Sequence, residues 1–146
     1  MLIPVGIIGF GYGERTGHRE HIKELCNFVG DDRSFGMYID ILGDRSNPQT
    51  QIAVLSQPEF AGTVATCFEE LIDKLLEYSR GYQPFPTTVP LMGMVVAVGC
   101  FSGEYQSDVL RRVLAELLNS VQFDGERVFN ACDFSLNGCK SFAENK

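Results

Sequence analysis

A short loop of small and polar residues, GCFSGEYQS at Gly99 to Ser107, is the stretch of this chain best suited to chemistry. An apolar run, Met94 to Val98, precedes the loop, and apolar residues at helical spacing follow it. A loop between a buried strand and a helix presents free backbone N–H groups, and the helix dipole adds partial positive charge there. The pattern predicts either an anion site, usually for phosphate, or a plain strand-to-helix connection without a ligand.

Cys100 raises the question of nucleophilic catalysis. A cysteine phosphatase loop has the form C-x-x-x-x-x-R, because the arginine binds the transferring phosphoryl group. Gln106 stands at the arginine position, and Ser107 has no matched His or Asp to activate it as a nucleophile. We therefore expect a non-catalytic protein without catalytic residues, metal ions or cofactors.

The five cysteines indicate a reducing environment. They lie at positions 26, 67, 100, 132 and 139, with no CxxC pair and no nearby His pattern. We therefore expect neither a zinc site nor a disulfide framework. We expect an intracellular, cytoplasmic location. Cys67 falls in an apolar helical stripe and is expected to be buried and inert, whereas Cys100 is expected to have the most thiolate character.

A second candidate site is the glycine turn at Gly9, Gly11 and Gly13, which follows an apolar strand and precedes a helical stripe. A strand, a glycine turn and a helix can bind a dinucleotide, so an enzyme that uses this turn is an alternative. The third glycine of the fingerprint would fall at Glu14, whose carboxylate would face the pyrophosphate. Asp40, near the end of the next strand, comes later than the usual ribose-binding acid.

Alternating strands and helices must position these loops. Apolar runs predict strands at 2–9, 35–42, 95–99 and 127–133. Apolar stripes predict a short helical segment at 22–29 and helices at 59–80 and 107–119. Ser56 before Pro58 is typical of a helix start. The order predicts an α/β fold, a layered sandwich with a mostly parallel sheet of about four strands and 95–99 at its centre.

The length and net charge of the chain limit its domain organisation and the kinds of partner it is expected to bind. The 146 residues are expected to form a single domain, 1–146, with 135–146 as a polar tail. A net charge of −7 with scattered Lys and Arg disfavours direct RNA binding by the isolated chain. No apolar run is long enough to cross a bilayer, and the apolar start lacks the basic region of a signal peptide.

Three segments, taken together, resemble the C-terminal domain of the RNase adapter protein RapZ family. GCFSGEYQS resembles the G-C-T-G-G-x-H-R-S loop of that family, and FGYG at Phe10 to Gly13 is similar to its F-G-[FY]-x-x-G start. Asp40 with Asn47-Pro48 is similar to its D-V-R-x-L-P-N-P segment, with one residue inserted. The resemblance implies an α/β domain that binds a phosphorylated amino sugar and, in characterised members, small regulatory RNA.

Carried over position by position, the resemblance implies a set of ligand-binding residues. The phosphate loop would comprise Cys100, Phe101, Ser102 and Gly103, with Gln106 and Ser107 at the helix start and Asp40 at the ligand hydroxyls. Tyr105 and Gln106 replace the His and Arg of the family, so the guanidinium that would bind phosphate is missing. The resemblance thus implies a degenerate anion-binding loop at 99–107.

The expected function is a non-catalytic ligand-binding or adaptor domain related to a sugar-phosphate sensor. The main alternative is a structural subunit that keeps only the fold and binds a protein partner or a second copy of the chain. The two differ in whether the Gly99 to Ser107 amides face an open pocket or lie beneath Phe101 and Tyr105.

Overall fold

The computed structural model describes residues 2–29, 34–39, 54–81, 94–101 and 103–136. In chain order the elements are β1 (Ile3–Gly11), α1 (His18–Val29), β2 (Ser34–Tyr38), α2 (Pro58–Gly81), β3 (Met94–Cys100), α3 (Gln106–Ser120), β4 (Gln122–Phe123), β5 (Glu126–Arg127) and β6 (Phe129–Ser135). Within these ranges, β1, β2, β3 and β6 form one parallel sheet in the order β2-β3-β1-β6. The α/β fold class and the parallel four-stranded sheet are confirmed.

β3 lies inside the sheet, between β1 and β2. All of its residues are buried, as is typical of a parallel strand that is covered on both faces. The central strand predicted at 95–99 is therefore confirmed.

The directions of the strand connections decide which face each helix covers. The connection from β1 to β2 crosses β3 in one direction, whereas the later connections, from β2 to β3 and from β3 to β6, run in the opposite direction. Because such crossovers are right-handed, α1 covers one face of the sheet, and α2 and α3 cover the other. Contacts of α3 with α2, β1 and β6 agree with this arrangement.

The main core lies between the sheet and helices α2 and α3. Its fully buried side chains include Ile7, Leu71, Leu75, Val96, Val98, Leu110, Leu114 and Leu118. Each of these side chains stabilises the fold by roughly 1.5–3 kcal/mol relative to an exposed position. The predicted apolar stripe of the long helix is confirmed, because Leu71 and Leu75 are buried while Glu69 and Glu70 are exposed.

The short hairpin of β4 and β5 was not predicted. Asp124 and Gly125 join the two strands with φ angles of 53° and 80°, as a two-residue turn of type I′ requires. The Asp-Gly pair was the available sequence signal. Arg127, which we expected to begin the last strand, belongs to this hairpin, and β6 begins at Phe129.

The boundary of the predicted tail also differs. Ser135, expected at the start of the tail, is the last residue of β6. Leu136 continues the pairing, since its N–H donates to the Gly9 carbonyl at 2.9 Å. The rest of the predicted tail, 137–146, lies outside the described residues. In the ranges that are described, no helix is long and apolar enough to span a membrane.

Candidate functional site

The carboxyl ends of β1 and β3 lie at the edge of the sheet where a fold of this kind is expected to bind a ligand. These two strands are neighbours, yet β1 leads to α1 on one face of the sheet and β3 leads to α3 on the other. Parallel α/β sheets bind ligands outside the strand ends at such a switch point. Both loops that the sequence singled out, 9–13 and 99–107, lie here.

Backbone hydrogen bonds join these two loops beyond the strands. Tyr12 N–H donates to the Cys100 carbonyl, and Gly13 N–H donates to the Phe101 carbonyl, each at 2.9 Å. A Cβ on Gly13 would lie 2.9 Å from the Phe101 carbonyl oxygen, which explains the glycine at this position. Since main chain closes the crevice between the strands, a ligand must lie outside it.

The 99–107 loop turns several of its polar groups inward. Cys100 and Ser107 are both buried, and the Cys100 thiol donates to the Ser107 hydroxyl at 3.2 Å. Ser107 in turn donates to the Phe10 carbonyl at 3.3 Å, and Gly103 N–H donates to the Cys100 sulfur at 3.2 Å. Three of the residues predicted to bind phosphate, Cys100, Gly103 and Ser107, therefore form these hydrogen bonds within the protein.

The other residues predicted to bind the ligand differ in how far they are exposed. Gln106 is buried at the first turn of α3, whereas the Phe101 side chain is 56% exposed. Ser102 and Asp40 lie outside the described residues, so their roles stay predictions. The residue before Asp40, Ile39, donates its N–H to the Gly99 carbonyl at 2.9 Å.

The turn after β1 satisfies the end of that strand with its own side chains. β6 ends opposite Gly9, so Gly11 is paired with Cys100 on β3 but extends past β6 on its other side. The Thr16 hydroxyl donates to the Gly11 carbonyl at 2.8 Å, and Gly11 N–H donates to Nδ1 of His18 at 2.9 Å. Thr16 and His18 thereby bind the Gly11 backbone groups in place of a β6 residue.

His18 is a functional candidate that our sequence analysis missed. It is the first residue of α1 and is only 7% exposed. Burial lowers the pKa of His18, and nearby His21 lowers it further. Because Nδ1 accepts the Gly11 N–H, the neutral ring carries its proton on Nε2. No sequence pattern around His18 indicated this hydrogen bond.

An open depression of about 790 Å³ lies beside the joined loops. Its lining consists of Gly13, Glu14, Arg15, Thr16 and His18 from the first loop, and Phe101 and Glu104 from the second. The depression thus combines carboxylates, a guanidinium and an exposed aromatic ring. Such a surface can bind a small molecule that carries both signs of charge.

Aromatic rings form a continuous row along this edge of the sheet. Ring centroids lie 6.2 Å apart for Phe10 and Tyr38, 5.8 Å for Tyr38 and Tyr12, and 5.9 Å for Tyr12 and Phe101. All three pairs are edge-to-face, a favourable geometry for aromatic rings. The row fixes the position of Phe101 at the depression and leaves its ring accessible.

A buried ion cluster supports the start of α3. Arg111 donates to Asp108 Oδ1 from Nε at 2.9 Å and from Nη2 at 2.6 Å, and it also donates to Asp133 on β6. A Cβ on Gly9 would lie 2.9 Å from Cδ of Arg111, so glycine leaves room for this side chain. The cluster ties α3 to the sheet, and the absence of a side chain at Gly9 gives the Arg111 side chain the space it occupies.

Within the described ranges, no group of three or more His, Cys, Asp or Glu side chains could hold a metal ion. No protein-family model, curated protein or solved structure matches this chain. The resemblance to the RapZ C-terminal domain therefore rests on three sequence segments: Phe10 to Gly13, Asp40 with Asn47-Pro48, and Gly99 to Ser107.

Proposed function

We propose that this protein is a non-catalytic ligand-binding domain that takes a phosphorylated amino sugar in the depression between the 13–18 turn and Phe101. The observation that carries the proposal is the position of this depression at the switch point of the sheet, with charges of both signs in its lining. The class of ligand comes from the family resemblance. The proposed site lies on the outer side of the 99–107 loop, because the Gly103 amide points to Cys100.

The parts of a phosphorylated amino sugar match the lining. The ammonium group pairs with Glu14 or Glu104, and the phosphate pairs with Arg15, whose guanidinium suits phosphate oxygens. The apolar side of the sugar ring packs on Phe101. These charged side chains are exposed, so each ion pair contributes at most about 1 kcal/mol. We therefore expect a Kd of about 0.1 to 1 mM.

The surroundings of the loop nucleophiles favour binding over catalysis. The Cys100 side chain is only 1% exposed, and its sulfur lies between the Gly103 N–H and the Ser107 hydroxyl. Ser107 is fully buried and donates to the Phe10 carbonyl. A substrate in the depression would have no direct access to either group.

Isothermal titration calorimetry with glucosamine 6-phosphate tests this function. Binding should be weaker for glucose 6-phosphate, which lacks the ammonium group, and for glucosamine, which lacks the phosphate. Phe101→Ala should weaken binding by roughly three- to tenfold, and Arg15→Gln by at most about fivefold, the equivalent of about 1 kcal/mol. Matched controls are Phe123→Ala, in the distant hairpin, and Lys74→Gln on α2. Absence of binding at about 10 mM ligand would contradict the proposal.

A role as an adaptor without a small-molecule ligand is the second candidate. The observation that favours it is the inward-facing 99–107 loop, in which Cys100 and Ser107 bind their own protein. In that case the exposed rings of Tyr38 and Phe101 would contact a protein partner or a second copy of the chain. Sedimentation velocity over a range of concentrations would show self-association that Tyr38→Ala weakens.

A further inference from the structure

Only one of the two ring nitrogens of His18, Nδ1, forms a hydrogen bond within the described part of the protein. Nδ1 accepts the Gly11 N–H at 2.9 Å, and the backbone N–H of His18 donates to Thr16 Oγ1 at 3.2 Å. Among the residues that the structure describes, Nε2 has no hydrogen-bond partner. A buried ring N–H without a partner is unusual, since buried polar groups nearly always have one.

The location of the ring indicates where a partner for Nε2 could come from. His18 is more than nine-tenths buried, yet it forms part of the wall of the depression. With Nδ1 facing Gly11, the opposite edge of the ring carries the Nε2 proton. This ring edge is therefore the one from which a molecule in the depression would accept a hydrogen bond.

We propose that Nε2–H of His18 donates a hydrogen bond to an oxygen atom of the ligand bound in the depression. The nature of that ligand rests on the proposed function, and its phosphoryl and hydroxyl oxygens share the required acceptor chemistry. α1 is a helix of 12 residues that begins at His18, so its first N–H groups and its dipole favour an anionic oxygen nearby. The Gly11 bond makes His18 a neutral donor with a fixed tautomer.

The charged groups near the ring are compatible with this role. Glu14 and Arg15 belong to the same turn, Glu104 faces the depression from the second loop, and His21 lies along α1. Burial and His21 both lower the pKa of His18, which keeps the ring neutral near neutral pH. A proton on Nδ1 would oppose the Gly11 N–H, so protonation would break the bond that orients the ring.

Two substitutions distinguish the hydrogen bond between Gly11 N–H and Nδ1 from the proposed bond between Nε2–H and the ligand. His18→Asn places a carbonyl oxygen near the Nδ1 position, where it can accept the Gly11 N–H, but it lacks Nε2. His18→Gln places an amide nitrogen near Nε2 and has no acceptor at the Nδ1 position. His21→Asn is the matched control, because it removes a histidine from the same helix without touching the Gly11 bond.

Calorimetry with glucosamine 6-phosphate and with inorganic phosphate gives the first readout. His18→Asn should keep the Tm of the original protein while its Kd for the bound probe rises about tenfold. His18→Gln should have a lower Tm and a smaller change in Kd, and His21→Asn should change neither. Unchanged binding in a folded His18→Asn variant would overturn the proposal.

Imidazole nitrogen NMR of the unaltered protein gives a second readout that does not depend on how the variants fold. Nδ1 of His18 should be unprotonated and Nε2 protonated, and the Nε2–H signal should shift when the probe binds. The opposite tautomer, or no shift of this signal at saturation, would overturn the proposal.

The probes also distinguish failure of this inference from failure of the proposed function. If glucosamine 6-phosphate binds and the His18 signals do not change, the ligand class holds and the role of His18 is overturned. If inorganic phosphate shifts the His18 signal and the amino sugar adds no affinity, His18 is a ligand-binding residue and the ligand class is overturned. If neither probe binds at about 10 mM, both proposals are overturned.

Discussion

A methyl group on Gly103 would lie 2.5 Å from the backbone nitrogen of Gly11, so the 99–107 loop is in direct main-chain contact with the end of β1. Gly103 also has a φ of 76°, which residues with a side chain rarely adopt. Glycine is therefore required both by its conformation and by the space available. This contact fixes the relative position of the two loops that border the depression.

Gly103→Ala should destabilise the protein by about 3 kcal/mol, because a strained backbone conformation and a main-chain clash add together. Gly125→Ala is the matched control: its φ is 80°, but a Cβ there would meet open space. That variant should lose only about 1 kcal/mol. Urea unfolding measures both values, and equal losses would show that the Gly103 contact with β1 is unimportant.

Arg111→Met should be far more damaging than Arg112→Met. The Arg111 side chain is 10% exposed and its partner Asp108 is 8% exposed, so removal of the guanidinium leaves a largely buried carboxylate without its main partner. We expect a loss of roughly 3–5 kcal/mol in the free energy of unfolding. Arg112 is 55% exposed and also pairs with Asp108, and its removal should cost less than about 1 kcal/mol. Similar losses in the two variants would argue against the buried cluster.

Acid should destabilise the fold through His18. Burial lowers the pKa of His18 in the folded protein below its ordinary value of 6.5, so the unfolded chain takes up the proton first as the pH falls. The contribution of His18 is fully present above about pH 6.5 and declines as the pH falls toward the folded-state pKa. His18→Asn should lack this component. Unfolding free energies of both proteins at pH values of about 7.5 and 5.5 measure it, and identical pH dependence would contradict the assignment.

Cys132 should react with alkylating reagents before Cys67 or Cys100. The structure exposes Cys132 and buries the other two, so the predicted burial of Cys67 is confirmed. Burial and Glu70 also raise the pKa of the Cys67 thiol, which reduces its reactivity further. Cys100, which we expected to have the most thiolate character, is out of reach of solvent. Native labelling followed by peptide mass spectrometry would test this order, and preferential modification of Cys100 would contradict it.

The strands and helices could be predicted from the sequence because apolar spacing reports which side of an element faces the core. The stripe that includes Leu71 and Leu75, and the continuous apolar run of β3, identified their elements correctly. The Asp124-Gly125 hairpin is too short for its strands to show a period. Its Asp-Gly turn residues carried the only local signal.

The candidate site was less predictable, because it depends on contacts between distant segments. Loop composition placed an anion site at 99–107, but it could not show that Cys100 and Gly103 bind each other. The role of His18 depends on where β6 ends relative to Gly11, which is a property of the assembled sheet. The position of the loops at the sheet edge did follow from the order of the elements.

Backbone chemical-shift mapping during titration with glucosamine 6-phosphate would show where this ligand binds. We expect saturable shifts at the amides of Gly13 to His18, Phe101 and Glu104, with the hairpin at 122–127 unchanged. We also expect that Phe101→Ala weakens the response and that Phe123→Ala does not. A titration that leaves the 13–18 turn and Phe101 unchanged at about 10 mM ligand, or that shifts a different surface, would contradict the proposed function.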